Sequence, residues 1–400
     1  MNLRFFVPRD AVTAPVHALL PDLLTVSSAA YPSAAAMTMQ LESLYAAEWN
    51  AKLTLCGDDA VLELTASWLD DKYALGSEPL TDEMLRLILG SLLHPNAENG
   101  AFCEPEFRIC KQNLLDDIDC EQNDKRAYTI RRGTELAFRG EPAAIPAQGS
   151  RSLAEAVTPA QAFAVWQEIL HTAEIMAVSV TPEPKPQIRT QLAAALGSIP
   201  RPAAEHRFYA PSPRRREPVI EEESLAVGQT KLVLTYKYDS IPREILLIIC
   251  GMLGWIQDSL LFMNLRERQC LCYYCCLQCA DDKHALFIDS GIEAKEIDAV
   301  CEAVEAQFEA LRSGDFTDDM IEKAILRHAC RKAAAADSPY DAANEPFSRY
   351  LTGDDRTTQE MLAAMEQVTR AQITEAAAQL RLDSGFILRA EREEAEDCEP

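Results

Sequence analysis

Four hundred residues exceed what one hydrophobic core usually organises, and 48% hydrophobic with 25% charged residues leave apolar material for two. A net charge of −25, from 38 Lys+Arg against 63 Asp+Glu, repels phosphate backbones and anionic lipid and argues against nucleic acid or a membrane surface as partner. No run of about eighteen uncharged apolar residues occurs, and the opening stretch from Met1 to Pro8 is too short for a signal peptide, so the expected compartment is the cytoplasm.

In chain order, Asn50 to Cys56 and Val61 to Thr65 flank Gly57-Asp58-Asp59, a hairpin signal. Thr81 to Leu93 has helical spacing, with Met84, Leu85, Leu87, Ile88 and Leu92 on one face, and His94-Pro95-Asn96 stops it. A second helix runs from about Glu104 through Asp119 and is expected to continue past Lys125; Ile175 to Val180 reads as a short buried strand. Pro182, Pro184, Pro186, Pro200, Pro202, Pro211 and Pro213 then punctuate a stretch that holds a short helical piece, Gln191 to Leu196, and the basic run Arg214-Arg215-Arg216. This is an interdomain linker, and on so acidic a chain the basic run reads as solvated. The second half opens with a strand, Lys231 to Tyr238, and a helix from Arg243 to Arg268. A strand pair follows, Leu271 to Cys279 and His284 to Ser290, then helices over Lys295 to Leu311 and Thr317 to Ala336.

The halves echo each other. Val157-Thr158-Pro159-Ala160-Gln161 opens a helix leading to the strand at Ile175, and Val368-Thr369-Arg370-Ala371-Gln372 opens one leading to a strand at Gly385 to Leu388. Both place Thr at the N-cap and Gln three residues on, the capping-box arrangement. Phe102 before Glu104 and Phe316 before Thr317 each precede a long helix. The fold class expected is α+β, with two homologous domains, each an antiparallel-rich sheet with helices packed on one face. The boundaries are a first domain over 1–182, a proline-rich linker over 183–216 and a second domain over 217–400.

Three segments resemble the insulinase (pitrilysin, mitochondrial processing peptidase) family. Leu261-Phe262-Met263-Asn264-Leu265-Arg266-Glu267-Arg268-Gln269-Cys270-Leu271-Cys272-Tyr273 is similar to the family's second-half signature, an Arg at a helix end and a Tyr seven residues later on a strand. Glu106 to Ile118 with Asn123 to Tyr128, and Phe138 to Pro142 with Ile145-Pro146 and Ser152 to Gln161, resemble a bacterial branch without the zinc site, as does Trp68 to Tyr73. That branch is associated with the 5-aminopentanol modification of elongation factor P, and its members pair with a zinc-bearing sister. The resemblance runs from about Ala30 to near the end; residues 1–30 fit less well, with the opening strand shortened or rearranged. It implies half of an insulinase-type clamshell.

Family peptidases carry His-x-x-Glu-His on a first-domain helix, whose two His hold zinc while the Glu acts as general base; a later Glu completes the site. Here the six histidines, His17, His94, His171, His206, His284 and His328, lie far apart, and the segment from Ala34 to Leu44 where the motif would fall has none. Asp116-Asp117, near the later carboxylate position, then reads as a solvated helix face. No metal or other cofactor is expected in this chain; zinc is expected in the partner. Arg266 and Tyr273 match the family pair that binds the substrate main chain and stabilises the oxyanion, work suited to a fixed cation and a phenol donor. The plainer alternative is a helix-end Arg facing the last carbonyls and a strand Tyr filling the core.

Cys270, Cys272, Cys275, Cys276 and Cys279 include two Cys-x-x-Cys pairs, a spacing that holds zinc or iron–sulfur clusters in other settings. In a strand, residues three apart point to opposite faces, which argues against chelation; the thirteen cysteines, an odd total without an export signal, read as free thiols. No phosphate-binding glycine loop and no Ser/His/Asp grouping stands out. The resemblance therefore implies a non-catalytic partner subunit of a zinc metallopeptidase heterodimer. It would lend Arg266 and Tyr273 to a homologous zinc-bearing subunit acting on a peptide or small protein. The alternative is a structural or peptide-binding scaffold of the same fold.

Overall fold

The computed structural model describes residues 1–201, 206–225 and 227–390; Pro202 of the linker and the last ten residues lie outside the described residues. The first half runs β1 (Asn2–Pro8), α1 (Ala14–Thr25), α2 (Ala34–Ser43), β2 (Glu48–Cys56), β3 (Asp59–Ser67), α3 (Leu80–Leu93), the short β4 (Ala97–Glu98) and β5 (Ala101–Phe102), and α4 (Glu104–Cys120). It continues with α5 (Lys125–Ala137), α6 (Arg151–Ala156), α7 (Pro159–Thr172), β6 (Glu174–Val178) and α8 (Pro186–Leu196). The second half runs β7 (Val219–Leu225), β8 (Thr230–Lys237), α9 (Arg243–Cys250), β9 (Cys272–Ala280), β10 (Ala285–Ile292), α10 (Ile297–Ser313) and α11 (Asp318–Ala336). It ends with α12 (Pro339–Thr352), α13 (Thr358–Glu366), α14 (Arg370–Ala377) and β11 (Arg381–Ala390).

The repeat is visible in the sheets. The first is ordered β2-β3-β1-β6 and the second β9-β10-β8-β11, with β7 added parallel beyond β11. Each thus has a hairpin beside one interior strand, β1 or β8, and the half's last strand on that strand's other side. Both capping boxes form: Thr158 accepts from the Gln161 amide, and Thr369 from that of Gln372, with each Gln side chain accepting from the N-cap amide. On one face of the first sheet, Leu3, Phe5, Leu62 and Leu64 join Leu20, Ile88 and Trp166 of the helices in one buried core. On one face of the second, Leu232, Leu234, Leu286 and Ile288 do the same with Ile249, Val304 and Phe308.

Two compact units result, and each includes a helix from the other half of the sequence. One unit comprises Met1–Cys120, Glu141–Phe208 and Ser338–Thr352; the other, Glu121–Gly140, Tyr209–Asp337 and the remainder from Gly353. So α12 belongs with the first sheet and α5 with the second, and each lies on the face opposite the main core. Within the first unit, Phe6, Val61 and Phe208 pack with Phe347 and Leu351 of α12. Within the second, Tyr128 and Leu136 of α5 pack on Phe386 and Leu388. Gly133 lets α5 come close to β8, since a β-carbon there would meet Val233 at 2.8 Å.

Each second face also buries a charge. Arg4, fully buried on β1, donates to Glu63 at 3.1 Å and to the Ala343 carbonyl of α12 at 3.3 Å, and it stacks on Phe347. Lys237, at the end of β8, donates to the Ala137 carbonyl of α5 and to Ser212, both at 2.8 Å, with Asp383 at 3.4 Å. Arg215 closes the same cluster through Asp383 and the Leu136 carbonyl. One member of the basic run is therefore a half-buried clasp rather than a fully solvated side chain, because its guanidinium caps the C-terminal carbonyls of α5.

Three expectations are corrected. The opening strand is neither shortened nor rearranged: β1 pairs along its length with β3 and lies between β3 and β6. The helix expected to continue past Lys125 ends at Cys120, and α5 starts afresh where the Asp124 carboxylate accepts from the amides of Arg126 and Ala127. The helix expected over Arg243 to Arg268 stops at Cys250, and π-helical turns follow at Gly251–Trp255 and Phe262–Arg268. Gly251 and Gly254 make this possible, since β-carbons there would collide with Ala324 and Leu277.

Removing one partner of a buried pair strands the other charge, a loss of about 3–5 kcal/mol. Glu63→Ala should therefore lower stability to urea by that order, whereas the double variant Arg4→Met, Glu63→Leu should recover most of it. A single variant as stable as the parent would show that the pair does not hold α12 in place.

Candidate functional site

The segment where the family's zinc motif would fall is α2. It is capped by the Ser33 hydroxyl, which accepts from the Ala36 amide at 3.2 Å, and only Met37 of it is buried. Its residues are Ala, Met, Thr, Gln, Leu, Glu and Ser, with no imidazole, so a family-type zinc site has no donor set here. Asp116 and Asp117 are exposed on α4, with Asp116 accepting from Gln112 at 2.8 Å.

Arg266 and Tyr273 lie on a stretch of backbone with three successive departures from regular geometry. Arg266 belongs to the π-helical turn Phe262–Arg268, which the Gln269 amide closes on the Asn264 carbonyl at 3.2 Å. Cys270 then takes a positive φ of 53°, uncommon for a residue with a side chain, and the Leu271 amide returns to the Leu265 carbonyl at 2.9 Å. Finally Cys272 pairs with Ile292 and Tyr274 with Gly291, leaving Tyr273 as the extra residue of a β-bulge on the edge strand β9.

The two side chains are open. Tyr273 is 60% exposed, so it does not fill the core. Arg266 is about half exposed; it approaches Glu267 at 3.8 Å and stacks on Phe262 at 5.0 Å. Among the described residues neither makes a hydrogen bond to another side chain or to a helix-end carbonyl. Arg266 is close enough for its charge to oppose the upward push that burial gives the Cys272 thiol. An exposed phenol and a guanidinium that approaches Glu267 only at 3.8 Å stand beside one sheet edge as donors without a hydrogen-bonded acceptor among the described residues.

The bulge also changes the cysteine argument. Register places Cys272 opposite Ile292 and Cys275 opposite Ser290, two residues apart, so these two share a face despite their odd spacing in sequence. Cys276 and Cys279 do lie on opposite faces, opposite Asp289 and Leu286. Cys272, Cys275 and Cys279 pack with Leu277 and Cys250 against the second core, where burial holds the Cys250 and Cys275 thiols well above their usual range. Among the described residues no three His, Cys, Asp or Glu side chains come together as a metal site. No helix among them is long and apolar enough to cross a membrane.

Residues 156–327 match the family model described as the peptidase M16 inactive domain. The chain is 24% identical over 394 residues to a probable inactive metalloprotease, YmfF, of Bacillus subtilis strain 168, covering 95% of this chain and 90% of that protein. A conserved protein from Enterococcus faecalis V583 superposes with a TM-score of 0.89 at 22% identity, covering 98% of this chain and 94% of that one. A peptidase M16 inactive domain from Pseudomonas fluorescens superposes at 0.76 and 16% identity, covering 97% and 92%. The fold is that of these structures.

Three of the histidines, His17, His284 and His328, are buried. His17 on α1 is 6% exposed, and burial lowers its pKa from 6.5 to about 4 against the opposing pull of Asp10. A folded-state pKa below the unfolded value means that neutral His17 stabilises the fold fully above pH 6.5, and that this is lost as pH falls towards 4. His17→Leu should therefore flatten the loss of stability over that window by about 3 kcal/mol. Identical pH profiles from urea melts of both proteins would refute this.

Proposed function

We propose that this chain is the non-catalytic subunit of a metallopeptidase heterodimer, supplying Arg266 and Tyr273 to a substrate held by a homologous zinc-bearing subunit. The observation that carries the reading is the coincidence of three backbone irregularities around two exposed donors that, among the described residues, make no side-chain hydrogen bond. A positive φ at a residue with a side chain costs about 1–3 kcal/mol, and π-helical turns and bulges likewise gather at functional sites. Arg266 would address the substrate main chain with its planar fork, and Tyr273 would donate to the carbonyl oxygen as negative charge builds on it. The metal, and with it the base that acts on metal-bound water, belong to the partner, because α2 has no imidazole to hold a metal.

The match to an inactive domain and the inactive relative support the absence of catalysis by this chain alone. The segments that resemble the elongation factor P branch make that modification, in the cytoplasm, the first place to look for the substrate. A scaffold of the same fold would need neither donor and would tolerate their loss.

Co-expression with such a sister subunit should give a one-to-one complex burying well over about 1,000 Å². In it, Arg266→Ala and Tyr273→Phe should each lower peptide turnover by about 10²–10³. The melting temperature of the complex should hold, since neither residue is in the core. Full turnover in both variants would leave the scaffold; a stable monomer indifferent to every such sister would remove the heterodimer as well.

A further inference from the structure

A second concave site lies wholly within the first unit, between β6 and α8. It is a groove of about 560 Å³, within the range of ligand pockets. Ile188, Leu192 and Leu196 of α8 form one wall, and Ile175, Ala177 and Val178 of β6 the other. Residues of both parities from Glu174 to Ser179 line it, so the groove borders the strand along its backbone edge rather than one face. That edge is open: β6 pairs with β1 on one side, and among the described residues no backbone hydrogen bond meets its other side.

The groove carries two arginines against one carboxylate, Glu174. Arg189 and Arg201 both line it, and among the described residues neither pairs with a carboxylate. The acid nearest to hand, Glu174, is engaged elsewhere, accepting from Tyr350 at 2.5 Å and lying 3.4 Å from His206. Arg201 spends Nη1 on the Leu196 and Ile199 carbonyls, at 2.6 and 3.2 Å. Its Nε and Nη2 are buried without a partner among the described residues. Those two atoms make up the side-on fork with which arginine grips a carboxylate. An open strand edge, apolar walls and an unsatisfied guanidinium fork are the parts that bind an extended chain ending in a free carboxylate.

We propose that this groove receives the C-terminal tail of a polypeptide ending in apolar residues, added as a strand along β6, with its carboxylate drawing the Arg201 fork out of the wall. The site is separate from Arg266 and Tyr273 and does not depend on the reading given to them.

The test uses the full chain and a fluorescein-labelled hexapeptide ending in alternating Val and Leu, as the free acid and as the C-terminal amide. The free acid should bind saturably by anisotropy, and amidation should weaken it about tenfold or more. Hydrogen exchange should slow at the amides of Glu174–Ser179 when the acid is bound. Arg201→Gln should abolish the preference for the acid; if that variant unfolds, the acid-to-amide comparison on the parent protein still decides. Equal affinity for acid and amide, no binding of either, or no protection along β6 would each overturn the proposal. Binding of decanoate with no binding of the peptide would overturn it too, in favour of a small amphipathic anion.

Discussion

Arg4 and Lys237 each hold a positive charge where water does not reach, on the face of a sheet opposite its main core. A lone buried charge is too costly to persist, so each fixes its surroundings: a carboxylate within reach and carbonyl oxygens aimed at it. In both units those carbonyls come from the helix contributed by the other half of the sequence, Ala343 of α12 and Ala137 of α5. The second face of each sheet is thereby committed to one helix in one position. Hydrophobic contact alone, as between Phe6 and Phe347 or Leu136 and Phe386, would hold a helix there with far less say over its register. The equivalent interior strand of each half, β1 or β8, carries the cation, and the second of two consecutive long-helix segments supplies the acceptor. Even though the residue types differ, the duplicated halves solve the same problem in the same place.

Much of the architecture was legible because its signals are local. Thr158 with Gln161 and Thr369 with Gln372 announce helix starts through side-chain chemistry within four residues, and Gly57-Asp58-Asp59 marks the hairpin between β2 and β3. What sequence reading missed is set by distant contacts. Arg4 interrupts an apolar run and makes β1 look unfit for an interior strand, until Glu63 and α12 supply its partners. The pattern of α5 resembles a continuation of α4, because an amphipathic stripe does not say which sheet it faces. Gly251 and Gly254 sit within helical spacing, and only the approach of Ala324 and Leu277 explains why the helix gives way there.

The candidate site was legible as a pair of residues and not as a geometry. Seven-residue spacing placed Arg266 near a helix end and Tyr273 on a strand, which leaves a core tyrosine as good a reading as an exposed one. The bulge decides between them, and it has no signature among the cysteines and tyrosines of β9. The same insertion moves Cys272 and Cys275 to one face, so one irregularity accounts both for the open tyrosine and for a cysteine pairing that strand alternation forbids.

These irregularities bear on why the edge is kept. An exposed edge strand invites unwanted pairing, and proteins usually blunt one with charge or cover. β7, at the other edge of the same sheet, is treated so: Glu221, Glu222 and Glu223 stand on it in ion pairs with Arg139, Arg389 and Arg132. β9 instead presents an open tyrosine at a bulge beside a half-exposed arginine, with the backbone bent on both sides of Cys270. On the proposed reading that conformation, offset by the firm second core beneath it, serves a bound substrate. A surface that must leave two donors free for an acceptor outside the chain gains a fixed direction for each.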